Sequence, residues 1–217
     1  VFVANTHGKV LCFSNLGRVY SLDVYLIPEG ARASKGKAIV NLLQLMPEEK
    51  ITIALPVTAF EADHFVFMAT AKGVVKKTPL TEFEQVKRAG KAAISLDEGD
   101  SLIGVAITDG KHDVMLFSDA GKAVRFDEAC VRSLGRTARG MGGMRLEGED
   151  RVIALLVAED DTQMVLTACE NGYGKCTPIS EYTRHARNTK GMIAIATTER
   201  NGRVIGAVLV HENDSVM

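Results

Sequence analysis

The chain has 217 residues, 46% of them hydrophobic, 24% charged and 6% aromatic, with no Trp. That is enough for one large domain or two small ones, with ample material for a globular core. The formal net charge of −1 carries no sign of a polyanionic partner. The longest apolar stretches, Ile51–Leu55 and Val152–Ala158, fall far short of the roughly 20 residues of a membrane span, and no signal peptide is visible. The cysteines, Cys12, Cys130, Cys169 and Cys176, include no Cys-x-x-Cys pair, and the five histidines are scattered. No metal site is expected, and a reducing cytoplasm suits the thiols best.

In chain order, Val1-Phe2-Val3-Ala4 reads as an apolar segment already under way. Then a pattern of an apolar strand, a Gly-containing turn and a second short strand occurs four times. Its copies are Leu11-Cys12-Phe13-Ser14-Asn15-Leu16-Gly17, Phe67-Met68-Ala69-Thr70-Ala71-Lys72-Gly73, Met115-Leu116-Phe117-Ser118-Asp119-Ala120-Gly121 and Val165-Leu166-Thr167-Ala168-Cys169-Glu170-Asn171-Gly172. Asn171-Gly172 is a strong hairpin signal, because both residues accept positive φ. A second glycine follows each turn, at Gly36, Gly90, Gly140 and Gly191. An apolar strand follows that, at Ile51–Val57, Leu102–Thr108, Val152–Ala158 and Val204–Val210. Helical periodicity is weak, and the best window is Thr81–Val86, where Pro79 and a capping-box-like Thr81-x-x-Glu84 suit a turn or two. Val216-Met217 resembles the start of another strand, so both ends read as cuts through a longer protein.

Strand-rich units of about fifty residues point to propeller-like blades that stack radially, since one blade cannot bury both faces alone. Strands such as Val114–Phe117 are apolar without alternation, as burial on both faces requires. The expected fold is all-β, one domain over residues 1–217 with repeats at about 9–64, 65–113, 114–163 and 164–215.

Charge follows the same phase. Residues 17–37, 72–91, 121–145 and 172–191 hold 20 of the 26 Lys and Arg but 7 of the 27 Asp and Glu, a net +13 that leaves −14 for the rest. In a radial array, equivalent segments occupy equivalent positions, so these form one basic stripe. The candidate phosphate contacts are Arg32, Lys35 and Lys37; Lys87, Arg88 and Lys91; Arg136, Arg139 and Arg145; and Arg184, Arg187 and Lys190. Lys76, Lys77, Arg125 and Lys175, near the first hairpins, extend the stripe. Few aromatics accompany these cations and no recognition helix is present, which leaves duplex DNA held through its phosphates. The carboxylates at Glu48-Glu49, Asp97-Glu98, Glu147-x-Glu149-Asp150 and Asp160-Asp161 read as exposed turns rather than Mg²⁺ sites. No Gly-x-Ser-x-Gly elbow, Walker loop or His-Glu-x-x-His is present, so no catalytic residue and no metal ligand is assigned.

Asn5-Thr6-His7, Phe13-Ser14-x-x-Gly17-Arg18-Val19-Tyr20, Phe67-Met68-Ala69-Thr70-Ala71-x-Gly73, Asn171-Gly172-Tyr173-Gly174-Lys175 and Thr198-Glu199-Arg200-Asn201-Gly202 resemble the C-terminal domain of bacterial DNA gyrase A subunits, type IIA DNA topoisomerases. The resemblance runs from end to end. It implies a β-pinwheel, a six-bladed relative of the propeller with strands exchanged between blades, of which four to five blades are present here. It implies wrapping of duplex DNA around the outer rim, in a gyrase that introduces negative supercoils using ATP. ATP and Mg²⁺ belong to other parts of that complex, so no cofactor is expected here. The implied partners are duplex DNA, the rest of the gyrase A subunit and the gyrase B subunit in an A2B2 assembly. No membrane is implied, and the isolated domain is expected to be monomeric. The implied location is the bacterial cytoplasm, with the nucleoid. The family's Gln-Arg-Arg-Gly-Gly-Lys-Gly box is expected upstream of residue 1, and Gln85-Val86-Lys87-Arg88-Ala89-Gly90-Lys91 is a partial echo of it. The catalytic tyrosine of the family also lies upstream. Two alternatives stay open: the corresponding domain of topoisomerase IV, whose pinwheel is less regular, and a protein-binding propeller scaffold.

Overall fold

A computed structural model describes residues 2–31 and 33–216. Val1, Arg32 and Met217 lie outside the described residues. The strands are β1 (Lys9–Ser14), β2 (Arg18–Asp23), β3 (Ile51–Val57), β4 (Phe65–Thr70), β5 (Val74–Pro79), β6 (Lys91–Ala92), β7 (Leu102–Thr108), β8 (Asp113–Ser118), β9 (Lys122–Asp127), β10 (Met141–Gly142), β11 (Val152–Ala158), β12 (Met164–Cys169), β13 (Gly174–Pro178), β14 (Met192–Ile193) and β15 (Val204–Val210). They form four antiparallel sheets, in the orders β3-β1-β2-β6, β10-β5-β4-β7, β11-β8-β9-β14 and β13-β12-β15. The fold is the all-β blade array that the repeats imply, with the strand exchange of a pinwheel.

The exchange has one direction. β6, β10 and β14 each belong by sequence to one repeat but hydrogen-bond to the sheet of the repeat before it. At the opposite edge of the sheets, β3, β7, β11 and β15 pack on one another in succession and make the hub. The borrowed strand is therefore the outermost of its blade. The fourth sheet has three strands among the described residues. Each repeat thus gives its own blade three strands rather than four.

Burial follows from the stacking. Every residue of β8 is buried, because a blade covers each face. β12, in the last blade, reads intermediate, buried, intermediate, buried, exposed, buried. Three core clusters each draw on two successive blades, with Phe13 and Met68 in one, Phe67 and Phe126 in the next, and Phe117 and Tyr182 in the third. Edge-to-face aromatic pairs, Phe13 with Phe83 at 5.9 Å and Phe117 with Tyr182 at 5.8 Å, link different repeats. Such a pair adds about 0.5–1.5 kcal/mol beyond its burial. Each hub strand carries one bulge at the same place, skipping Thr52, Ile103, Ile153 or Ile205, which increases its twist. Around residues 80–83 the chain makes a 3-10 turn, Leu80–Phe83, with no side-chain cap, so the Thr81-x-x-Glu84 pattern does not act as a capping box. The turn buries Leu80 and Phe83 instead.

The anchor glycines show what the stacking demands. Gly73 and Gly172 have nearly the same backbone, with φ of 81° and 80°. A Cβ on Gly73 would lie 2.5 Å from the Met144 carbonyl oxygen of the next repeat, whereas one on Gly172 meets nothing within 4 Å. Gly73→Ala is therefore expected to lower stability by about 2–4 kcal/mol, and Gly172→Ala by about 1 kcal/mol, the cost of the left-handed backbone alone. Urea unfolding of the two variants checks the difference, and equal losses would rule out the inter-repeat contact as its source.

Candidate nucleic-acid interface

Among the described residues the rim is built of three arches. In each, the chain before a borrowed strand touches the preceding blade's outer strand, lifts off over one residue, and returns to pair. The third-repeat arch leaves at Lys77, whose carbonyl accepts from Leu134 N at 2.8 Å, and returns where β10 pairs Met141 with Val75. Lys76 lies beneath it. The second-repeat arch passes over Tyr20, with Ser21 N donating to Lys87 O at 3.4 Å and β6 pairing Lys91 with Val19. The fourth-repeat arch passes over Val124, with His185 N donating to Arg125 O at 2.8 Å and β14 pairing Met192 with Ala123. One further bond recurs: Gln44, Ser95 and Arg145 donate their backbone N–H to Arg88 O, Ala138 O and Thr189 O, two residues before each arch's glycine.

The basic residues divide into distinct groups on this frame. Lys35, Lys37, Lys87, Arg88, Lys91 and Arg145 are exposed, and their side chains have no ion pair or hydrogen bond among the described residues. Arg136 is half-buried at the crown of the third arch, and its Nε has no partner among the described residues. Arg132, on the same stretch, is also exposed and does not stand out in the sequence, because it lies eight residues ahead of the glycine that marks the candidates. Arg32 lies outside the described residues.

A second group is exposed but paired with carboxylates. Arg139 forms a two-bond contact with Asp97, Nε to Oδ1 at 2.7 Å and Nη2 to Oδ2 at 2.5 Å. Lys190 and Lys122 grip Glu147 at 2.5 and 2.6 Å. The pattern repeats: a base directly before an arch glycine meets the acid seven residues after the preceding glycine, and Ala89 takes the base's place at the first junction. Arg184 meets Asp113 at 2.9 Å. Arg187, half-buried, donates instead to Gly142 O at 2.9 Å and Cys130 O at 3.2 Å.

A third group departs from the stripe expected from sequence. Lys76 and Lys77 are 0% and 7% exposed and do not reach the surface stripe. Lys76 Nζ donates to Ala93 O, Gly135 O and Arg136 O, and Lys77 Nζ to Glu128 O. Arg125 has 11% of its side chain exposed and binds Asp113, Asp161 and the Ile179 and Tyr182 carbonyls. The cause is the strand exchange: β5 and β9 are covered by the next repeat and are not edge strands. Lys175 remains exposed on β13, with its Nζ donating to Ala194 O at 3.1 Å.

Among the carboxylates, Glu49 departs from the exposed-turn reading. Its side chain is 0% exposed and accepts from Tyr20 Oη at 2.5 Å and Met46 N at 2.8 Å. Asp97, Glu147 and Asp161 sit in turns but are joined to rim or blade cations.

A stack of exchanged-strand blades with a basic outer edge is a propeller-like pinwheel, and the chain belongs to the DNA gyrase C-terminal domain family. The family profile, described as DNA gyrase C-terminal domain, beta-propeller, matches residues 8–57, 64–109, 112–159 and 163–211. The chain is 54% identical to the DNA gyrase A subunit of Escherichia coli (strain K12) over 217 residues, covering all of this chain and 25% of that protein. It thus spans about a quarter of the length of the curated relatives it matches. Among solved structures, the C-terminal domain of DNA topoisomerase IV superposes with a TM-score of 0.87 at 26% identity, covering 96% of this chain and 65% of that one. The DNA gyrase A C-terminal domain superposes with a TM-score of 0.82 at 26% identity, covering 97% and 68%.

The two ammonium groups hold the Glu147 carboxyl well below the usual range, at about 2. A depressed carboxylate stabilises the folded state above its unfolded value near 4.5, and that contribution is lost as pH falls toward 2. Carboxyl-detected NMR is expected to place the Glu147 midpoint near 2, and Lys122→Met with Lys190→Met to return it to the ordinary carboxylate range. A midpoint that stays low in the double variant would mean that other groups hold it.

Proposed function

We propose that the chain binds duplex DNA without sequence preference and bends it around the arches, as the wrapping module of a DNA gyrase. The observation that carries this reading is the set of exposed, unpaired cations, Lys35, Lys37, Lys87, Arg88, Lys91 and Arg145, on equivalent stretches of successive repeats. Bending 20–30 base pairs by 40–90° costs on the order of 1–6 kcal/mol, and a row of phosphate contacts offsets it. Backbone N–H groups beside the arch glycines can approach phosphates as well. The acidic remainder of the surface repels DNA elsewhere and confines it to the rim.

In this reading the remainder of the gyrase A subunit, with the gyrase B subunit, supplies DNA cleavage, ATP and Mg²⁺ in an A2B2 enzyme of the bacterial cytoplasm. Wrapping of fixed hand then lets ATP use drive negative supercoiling. The relatives named as DNA gyrase A subunits support that assignment, and their sequence identity favours it over topoisomerase IV, whose domain has the same fold.

Six phosphate contacts correspond to a slope of log affinity against log salt near −5. Joint substitution of Lys87, Arg88 and Lys91 by alanine is expected to flatten the slope by about 3. A fluorescence titration over a salt series measures both. A slope near zero in the unaltered chain would dispose of the electrostatic rim and leave a protein-binding scaffold as the better reading.

A further inference from the structure

Lys76 is the least expected cation in the molecule. Its side chain is 0% exposed, inside a protein whose other basic residues are largely at the surface. All three ammonium protons have acceptors: Ala93 O at 2.6 Å, Gly135 O at 3.0 Å and Arg136 O at 2.5 Å. The acceptors come from different places in the assembly. Lys76 is on the outer native strand of the second blade. Ala93 directly follows β6, which the second repeat lends to the first blade. Gly135 and Arg136 are the crown of the arch that the third repeat lays over β5. One ammonium group thus joins two successive rim segments to the strand between them.

Neighbouring blades solve the same position differently. Tyr20 lies under the preceding arch, with its hydroxyl on Glu49 and its ring against Gly90. Val124 lies under the following arch, with no polar group to offer. That arch is held from above, by Arg187 on Gly142 O and Cys130 O. Lys175, at the fourth position of the series, makes the same bond to Ala194 O that Lys76 makes to Ala93 O.

We propose that Lys76 is a positioning residue for DNA bending: it fixes the crown of the third-repeat arch, and with it Arg136 and Arg139, relative to the rim strand of the first blade, without touching DNA. The inference rests on the DNA-bending reading but concerns an internal group. A phosphate contact acts through its charge at the surface, whereas Lys76 acts through three carbonyls, of which only Gly135 O has a second donor among the described residues, Ala138 N at 3.2 Å.

The clamp needs all three protons. A neutral amine offers two N–H groups and turns a lone pair toward the third carbonyl. Burial pushes Lys76 down to about 7, the Arg136 guanidinium in the arch adds to the push, and Glu82 in the 3-10 turn opposes it. Release of one arch carbonyl therefore falls within an accessible pH range. By linkage, the unfolded chain holds this proton up to about 10.5, so the Lys76 contribution to folded-state stability rises with pH between about 7 and 10.5 while the arch loses a bond.

The test combines three readouts on the full chain. Bend is read by energy transfer between the ends of a short duplex, the salt slope by titration, and the arch by amide NMR. Lys76→Met is expected to give a smaller bend with an unchanged salt slope, where loss of a phosphate contact lowers the slope by about 1. The bend of the unaltered chain is expected to decrease between about pH 6 and 8.5, either side of the Lys76 midpoint, and that of Lys76→Met to stay flat. In the unaltered chain the Thr137 and Ala138 amides are expected to titrate with the Lys76 Nζ midpoint near 7. A variant that bends DNA as the unaltered chain does, a slope that falls by about 1, or arch amides that ignore the Lys76 titration would each overturn the proposal. The NMR titration requires no substitution, so it decides the clamp even if Lys76→Met fails to fold. If the unaltered chain binds no DNA, the bending role falls with the DNA reading, and the titration alone judges the clamp.

Discussion

The exchange of two-residue strands governs everything at the rim. β6, β10 and β14 are too short to hold a position by themselves, and each is fixed by antiparallel bonds to a sheet built from the preceding repeat. This places the outer edge of every complete blade at the junction of two repeats. It also decides which cations reach solvent, because it shifts the edge outward by one strand. The arches then acquire defined positions from three kinds of contact: backbone bonds at their feet, a supporting side chain beneath, and ion pairs across the junction.

Those ion pairs give the rim a mixed character. Arg139 and Lys190 face carboxylates of the preceding repeat, so part of their charge is already matched. Lys87, Arg88 and Lys91 are on the arch that lacks such an acid–base pair, with Ala89 in the base's place. The strongest unbalanced field is therefore expected over the second-repeat arch rather than evenly around the edge.

Much of this is legible in the sequence, for physical reasons. The hub strands are seven apolar residues between charged turns, and their limits at Ile51–Val57, Leu102–Thr108, Val152–Ala158 and Val204–Val210 can be read directly. The hairpin turns are visible because left-handed φ selects glycine there. The exchanged strands are not visible as strands. Lys91–Ala92 or Met141–Gly142 has no period to detect, and its partner is fixed by tertiary stacking. The burial of Lys76, Lys77 and Arg125 is hidden by that same gap. Charged residues after a hairpin glycine normally face water, and only a covering strand from another repeat makes burial with internal acceptors the better state. Glu49 is misread for a related reason, since its acceptor role depends on Tyr20, 29 residues earlier.

The backward direction of the exchange also has a consequence for synthesis. About 34 residues separate the end of a blade's last native strand from the strand that closes its edge, as from Thr108 to Met141. At about 5–20 residues per second, a ribosome takes about 2–7 s to deliver it. Each new blade therefore spends seconds as an open three-stranded sheet, with unpaired backbone groups along an edge that a foreign chain could join. The lysines and arginines of β5 and β9 line that edge during this interval. Charge that is buried once the next repeat arrives can thus guard the nascent sheet against misassociation before it does.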